Sequence, residues 1–274
     1  MKLAQHLVEK PWGRCTLPPP FDAVAAQGTD QAKRIGEIWF EPADGRILPL
    51  LVKYIFTSEK LSVQVHPDDA QARVRGQKAG KNECWYILDA EPGAVLGLGT
   101  VIPLDEAELR AAALDGSIER LMDWKPVKPG EFYAVPAGTV HAIGADISLV
   151  EIQQNVDLTY RLYDYGRPRE LHLDDGAAVS SARPYPAEQI MRIEPEGAAE
   201  QALAHFPQFD VVYSRSMASS RADRMDRAMW AVPLSGEISG GGEHARAGGC
   251  LYLAPGEAFD RVSDDATALL GFAA

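Results

Sequence analysis

Residues Leu61–Pro67 read LSVQVHP, and the alternation within this run decides the fold class. Successive side chains of a strand leave opposite faces, so Ser62, Gln64 and His66 share one face while Leu61, Val63 and Val65 take the other. One face belongs to a core; the other is a row of polar groups with lone pairs. Two further runs have the same character. In Lys81–Ile87, KNECWYI, parity groups Lys81, Glu83, Trp85 and Ile87. In Val135–Ile143, VPAGTVHAI, Pro136, Ala137 and Gly138 supply a tight turn, after which Thr139, His141 and Ile143 share a face. His141 then enters the sheet interior at the start of a strand.

Around these segments, from Arg34 to about Asn155, short apolar runs alternate with Gly, Pro, Asp and Asn clusters, the rhythm of an antiparallel sandwich or barrel. Leu50–Phe56, Leu61–Val65, Cys84–Leu88, Phe132–Val135 and Ile147–Ile152 are the expected strands, too closely spaced for alternating βαβ units. Two stretches read as helical: Asp68–Arg75, and Asp105–Trp124 with a break around Gly116. Asp105 and Glu108 have the spacing of an N-terminal capping pair, and Leu109, Ala112 and Ala113 form a partial apolar stripe.

Near Ala178–Pro186 the chain turns rich in Ser, Arg and Pro, which predicts a first unit over residues 1–180 and a second, smaller β unit over 185–274. AGGCLYLAPGE, residues Ala247–Glu257, echoes KPGEFYAVPAG, residues Lys128–Gly138. Each sets an apolar strand between a glycine-containing turn and a second turn with Pro and Gly, as a degenerate internal repeat would. No histidine follows the second copy to match His141. The first unit is therefore expected to hold the chemistry and the second to lack metal ligands.

The chain has 274 residues, 46% of them hydrophobic, enough for a substantial core. Its formal net charge of −12 argues against nucleic acid or an anionic membrane as partner. An anionic small substrate would need a locally basic pocket. Cys15, Cys84 and Cys250 fit neither a CxxC metal motif nor a disulfide framework, and Met1–Trp12 carries Glu9 and Lys10 with no long apolar region. The expected location is cytoplasmic.

Two imidazoles, a carboxylate and an amide oxygen form a mixed nitrogen and oxygen set that suits Zn²⁺ and tolerates Mn²⁺, Fe²⁺ or Co²⁺. A single buried histidine in a β protein is more often a hydrogen-bonded core residue. Four ligand-type residues at inward parity on three segments weigh against that reading, while His6, His172, His205 and His244 have no such setting. Lys53 and Lys81, taken alone, read as snorkelling cations.

In this order, LSVQVHPDD, GKNECWYIL, VPAGTVHAI and QQNVDLTYRLYDYGR resemble the signature segments of type I mannose-6-phosphate isomerases (phosphomannose isomerases) in their short bacterial form, across roughly Trp12 to Leu173. The resemblance implies a mainly β fold of the cupin superfamily, an antiparallel β-barrel (jelly roll) with a few short helices, and a degenerate cupin-like second domain. It implies one zinc on Gln64, His66, Glu83 and His141, with catalytic roles for Arg161, Lys81 and Glu151 and substrate contacts from Lys53, Ser62 and Arg161. The chain has no room for the helical domain inserted in longer members, leaving only Pro103–Trp124, and it has Arg167 near where those forms offer a lysine.

The activity implied interconverts mannose 6-phosphate and fructose 6-phosphate by moving a proton between C1 and C2 through a cis-enediolate. Glu151, a metal-bound water and Lys81 stand as alternatives for the proton carrier. Cupins also host Fe²⁺ dioxygenases, other sugar-phosphate isomerases and non-catalytic sugar-binding modules. An oxygenase has no evident need for Lys53, Lys81 and Arg161. Oligomeric state is not written in the sequence.

Overall fold

The computed structural model describes residues 1–22, 33–194 and 196–274. The strands of the first unit are β1 (Ala4–Arg14), β2 (Ile35–Glu41), β3 (Leu50–Phe56), β4 (Val63–Val65), β5 (Glu83–Ala90), β6 (Val95–Thr100), β7 (Met122–Pro126), β8 (Glu131–Val135), β9 (His141–Ile143), β10 (Ile147–Gln154), β11 (Tyr160–Tyr163) and β12 (Ile190–Arg192). They form a seven-stranded sheet, ordered β1-β2-β3-β10-β5-β8-β12, and a five-stranded sheet, ordered β11-β4-β9-β6-β7. Pairing is antiparallel throughout both. This is the mainly β cupin architecture that the strand rhythm and the motifs predict.

The two sheets face each other across an interior cluster that includes Ile55, Leu61, Trp85, Leu98, Val135, Ile143 and Leu149. Outside the five-stranded sheet, Val63, Val65, Val140 and Ala142 pack under helices Glu106–Asp115 and Leu173–Val179. The second unit covers the outer face of the seven-stranded sheet. Leu50, Val52, Tyr54 and Phe56 of β3 and Val150 and Ile152 of β10 share one core with Phe209, Val211, Trp230, Val232 and Leu269. All of β3 is therefore buried, and its sequence LLVKYIF lacks alternation because each face has a core to meet. Lys53 is the lone charge in that run.

The second unit contains β13 (Glu200–His205), β14 (Phe209–Ser214), β15 (Met229–Ser235), β16 (Glu237–Gly240), β17 (Glu243–Arg246), β18 (Leu251–Leu253), β19 (Arg261–Val262) and β20 (Thr267–Ala273). Its sheets are ordered β13-β14-β20-β15-β18 and β17-β16-β19. In sheet order, β14-β20-β15-β18 corresponds to β3-β10-β5-β8 of the first unit. The echoing segments of the sequence thus hold equivalent strands, β8 and β18.

Register carries the comparison to single residues. Lys53 pairs with Glu151, and Gln153 with Glu83; in the second unit Val212 pairs with Leu270, and Phe272 with Met229. The inward positions that hold charge in one barrel are apolar in the other.

Three details depart from the sequence reading. Residues Met122–Pro126 are strand β7 along β6. Gly116, left-handed at φ 78°, ends the capped helix Glu106–Asp115, and pairing with β6 captures the residues after the short helix Ile118–Leu121. Leu61 belongs to the interior cluster rather than facing with Val63 and Val65, since β4 begins only at Val63. Residues beyond Tyr185 still run with the first unit: Tyr185 is buried in its interior and β12 extends its large sheet. The N-terminal residues conversely touch the second unit, where Leu3 N–H donates to the Cys250 carbonyl.

Candidate metal centre and substrate cavity

The starts of two strands and the end of a third converge inside the first barrel. Gln64 on β4 pairs with His141, the first residue of β9, and Glu83 opens β5 across the interior. His66 lies just past the end of β4. The turn before His141 needs a left-handed residue, supplied by Gly138 at φ 85°, whose N–H donates to the His66 carbonyl at 2.7 Å. That bond ties the two histidine segments together.

The ligand atoms of His66, Glu83 and His141 lie within 4.8 Å of one another, and all three side chains are buried. Each imidazole directs Nδ1 to a backbone carbonyl, His66 to Leu158 at 2.8 Å and His141 to Thr139 at 2.9 Å. A carbonyl can only accept, so Nδ1 carries the proton and the Nε2 lone pairs face inward. His66 Nε2 is 3.5 Å from Glu83 Oε2 and His141 Nε2 is 3.3 Å from Glu83 Oε1. His66 Nε2 and both Glu83 oxygens have no hydrogen-bond partner, although Lys81 Nζ lies 2.8 Å from Oε2, close in distance but out of hydrogen-bonding alignment.

Burial lowers the His66 pKa to about 3, reinforced by the Lys81 charge, and burial also lowers that of His141. Both rings are neutral at neutral pH. Desolvation opposes the Glu83 carboxylate, but the Lys81 charge holds its pKa well below the ordinary range. Neutral imidazoles with converging lone pairs, beside an ionised carboxylate, form a donor set that could hold a divalent cation. The Gln64 amide lies at 3.2 Å from His141 Nε2, and Ser62 Oγ donates to Gln64 Oε1 at 3.2 Å. Turning that amide over would present its oxygen to the cluster.

A cavity of about 200 Å³ opens beside the cluster, and Gln64 and Lys81 form part of its wall. Lys53, Ser62, Glu151 and Arg161 line it too, so all the sequence-predicted residues meet at one place. Five cations, Lys10, Lys53, Lys81, Arg161 and Arg169, stand against three carboxylates, Glu37, Glu151 and Asp157. The excess of positive charge lies in the pocket of an acidic chain, where an anion would need it.

Along the inner face of the large sheet the charges alternate. Lys10 is 3.4 Å from Glu37, Lys53 is 3.0 Å from Glu151, and Lys81 is 3.9 Å from Glu151 and 2.8 Å from Glu83. Trp39 donates to Glu37 at 2.5 Å and carries Lys53 Nζ 4.9 Å above its ring, while Trp85 donates to Glu151 at 3.1 Å. Burial disfavours the Lys81 ammonium, yet Glu151 and Glu83 raise its pKa above the usual lysine value. Lys81 is therefore a cation here, not a base.

Lys10, Glu37, Asp157 and Arg169 are pocket residues that the sequence reading missed. Arg169 had a signal in its spacing: it follows Arg167 by two, and the buried Asp164 accepts from both, at 3.0 Å from Arg167 and at 2.5 and 2.7 Å from Arg169. Arg167 also donates to the Lys60 carbonyl and is not among the cavity residues. Arg161 Nε is buried without a partner, and its pKa is lowered by burial and by Arg169.

Over 170 residues the chain is 40% identical to the mannose-6-phosphate isomerase ManA of Bacillus subtilis, covering 57% of this chain and 54% of that protein. The chain is similar in sequence to mannose-6-phosphate isomerases. A mannose-6-phosphate isomerase of Streptococcus mutans is 41% identical over 146 residues, 51% of this chain and 46% of that one. The chain spans about half the length of the curated mannose-6-phosphate isomerases it matches. A solved mannose 6-phosphate isomerase from Bacillus subtilis shares the fold over 100% of this chain and 98% of its own, with a TM-score of 0.77 and 23% identity. No model of a protein family matches the chain. Among the described residues no helix is long and apolar enough to cross a membrane.

Proposed function

We propose that this chain is a metal-dependent aldose-ketose isomerase that interconverts mannose 6-phosphate and fructose 6-phosphate through a cis-enediolate. The observation that carries the reading is the buried His66–Glu83–His141 cluster, with unsatisfied lone pairs, beside a cation-rich cavity. His66, Glu83, His141 and the Gln64 amide would hold one divalent metal, best matched by zinc. When bound, the metal supplies positive charge against the oxyanion that develops on the sugar.

The protein's own groups divide the remaining work. Lys81, kept charged by two carboxylates, donates toward developing negative charge on O1 or O2. Glu151, set between Lys53 and Lys81 and bordering the cavity, carries the proton between C1 and C2. Lys53 and Trp85 hold the carboxylate from two sides. Ser62 lies along the sugar, and Arg161 with Arg169 receives the phosphate, a dianion suited to paired guanidinium groups. Turnover takes place in a reducing cytoplasm, consistent with Cys84 and Cys250 being buried thiols.

Elemental analysis of the purified protein, paired with a coupled assay for fructose 6-phosphate formed from mannose 6-phosphate, tests the proposal. Zinc near one equivalent per chain and robust turnover are expected, with both lost in His141→Ala. Metal-replete protein without turnover rejects the activity, and His141→Ala with full metal removes His141 from the ligand set.

A further inference from the structure

Between β13 and β14 the sequence reads Phe-Pro-Gln-Phe, residues 206–209, a two-residue turn closed by Phe206 N–H to Phe209 at 2.9 Å and the reciprocal bond at 3.3 Å. Both phenyl rings are buried in the core shared by the two units and pack together at 5.0 Å. The backbone carbonyl of Gln208 accepts from Ala274 N–H at 2.9 Å. Fixed at three points, the turn presents one amide side chain to the first unit.

That amide enters a polar knot among the metal-binding segments. Gln208 Nε2 donates to Asp69 Oδ2 at 2.8 Å, and Gln208 Oε1 accepts from Asn82 Nδ2 at 2.9 Å. Asp69 lies three residues beyond His66; its other oxygen accepts from Gly80 N–H at 2.8 Å and from Gln154 Nε2 at 3.0 Å. Asn82 lies between Lys81 and Glu83. Its N–H donates to Gln154 Oε1 at 2.9 Å, and its Oδ1 accepts from Ala137 N–H at 2.8 Å, in the turn that leads to His141. The amide and carboxylate side chains of the knot thus join all three ligand-bearing segments.

We propose that Gln208 is a positioning residue, through which the second unit holds the His66, Glu83 and His141 segments at metal-binding spacing. The inference rests on the metal reading above and gives the ligand-free second barrel a part in it. Groups that orient ligands typically contribute 10- to 100-fold to metal affinity. Gln208 acts one bond further out, so about tenfold is expected.

The test is competition between the holoprotein and a graded series of zinc chelators, with thermal unfolding and steady-state kinetics on the same samples. Gln208→Ala should release zinc at about tenfold lower chelator strength and lose kcat under limiting zinc. Gln208→Glu should do the same, because it sets a carboxylate against Asp69. Adding Asp69→Asn to Gln208→Glu restores a donor and acceptor pair with its polarity reversed, and should recover zinc retention. Unfolding shifts in both single variants with zinc retention equal to the parent would mean that Gln208 merely docks the units, and would overturn the inference. A parent chain that holds no zinc removes the metal reading itself, and the inference with it.

Discussion

Glu151→Gln separates the two roles of the central carboxylate. Gln keeps an oxygen to accept from the Trp85 indole and removes only the charge, which strands Lys53 in a pair whose side chains are 7% and 5% exposed. Removing one partner of a buried ion pair costs roughly 3–5 kcal/mol. The lower end applies, because the Trp39 ring still lies under Lys53 Nζ at 4.9 Å and Glu37 still acts on it electrostatically. About 3 kcal/mol is therefore expected, read as the shift in urea unfolding of metal-free protein at pH 7.

Lys53→Met in the same background removes the stranded cation and should return about 2 kcal/mol, which the double-mutant cycle reports as coupling. Stability then recovers while turnover does not. Both Glu151→Gln and the double variant should lose about 10²- to 10⁴-fold in kcat. A coupling below about 1 kcal/mol would refute the charged-pair energetics. Turnover within tenfold of the parent would refute Glu151 as proton carrier.

Arg161→Ala should keep metal and fold but lose about 10²-fold in kcat/KM, and unchanged kinetics with mannose 6-phosphate would exclude a substrate role. Acid should destabilise the metal-free protein. His66 has a folded pKa of about 3 against an ordinary 6.5, so the unfolded state binds more protons between those values and stability falls as pH falls through that window. Glu83, held low, loses its contribution further down the same descent; unfolding midpoints that are flat from pH 7 to pH 4 would contradict neutral burial of His66. Met229→Glu, which sets a carboxylate where the second barrel matches Glu83 in register, should cost at least about 3 kcal/mol. A loss under about 1 kcal/mol would argue against that interior being dry.

Parity made the residues of the candidate metal centre legible in the sequence. Gln64, His66, Glu83 and His141 could be assigned to one interior because strand alternation is local, and the turn before His141 is written in Pro136–Gly138. The capping pair Asp105 and Glu108 was readable for the same reason and forms in full. Lys10 and Glu37 were not legible, since nothing local says that β1 and β2 extend the sheet edge beside β3. Their charges become pocket charges only through register. Helix Leu173–Val179 was also hidden: Gly176 lowers its intrinsic propensity, and close packing against Leu162 and Tyr160 gives that glycine a tertiary role.

The comparison of the two barrels explains how one sheet tolerates a row of buried charge. Charges at Lys53, Glu151, Lys81 and Glu83 cost desolvation, which mutual pairing offsets only when geometry is held tightly. The outer face of β3, β5 and β10 is locked against the second unit through Val52, Tyr54, Cys84, Val150 and Ile152, so the strands bearing those charges cannot splay to admit water. In the second barrel the positions that match Lys53, Glu151, Glu83 and Gln153 in register are Val212, Leu270, Met229 and Phe272, all part of an apolar interior with the desolvation cost absent. Apolar burial in one barrel thus stabilises the sheet on which the other arranges its charges. The polar barrel depends on that contact more than the apolar one does, because its strand pairing must also fix distances between ions, and Gln208 is the point where the dependence reaches the metal ligands.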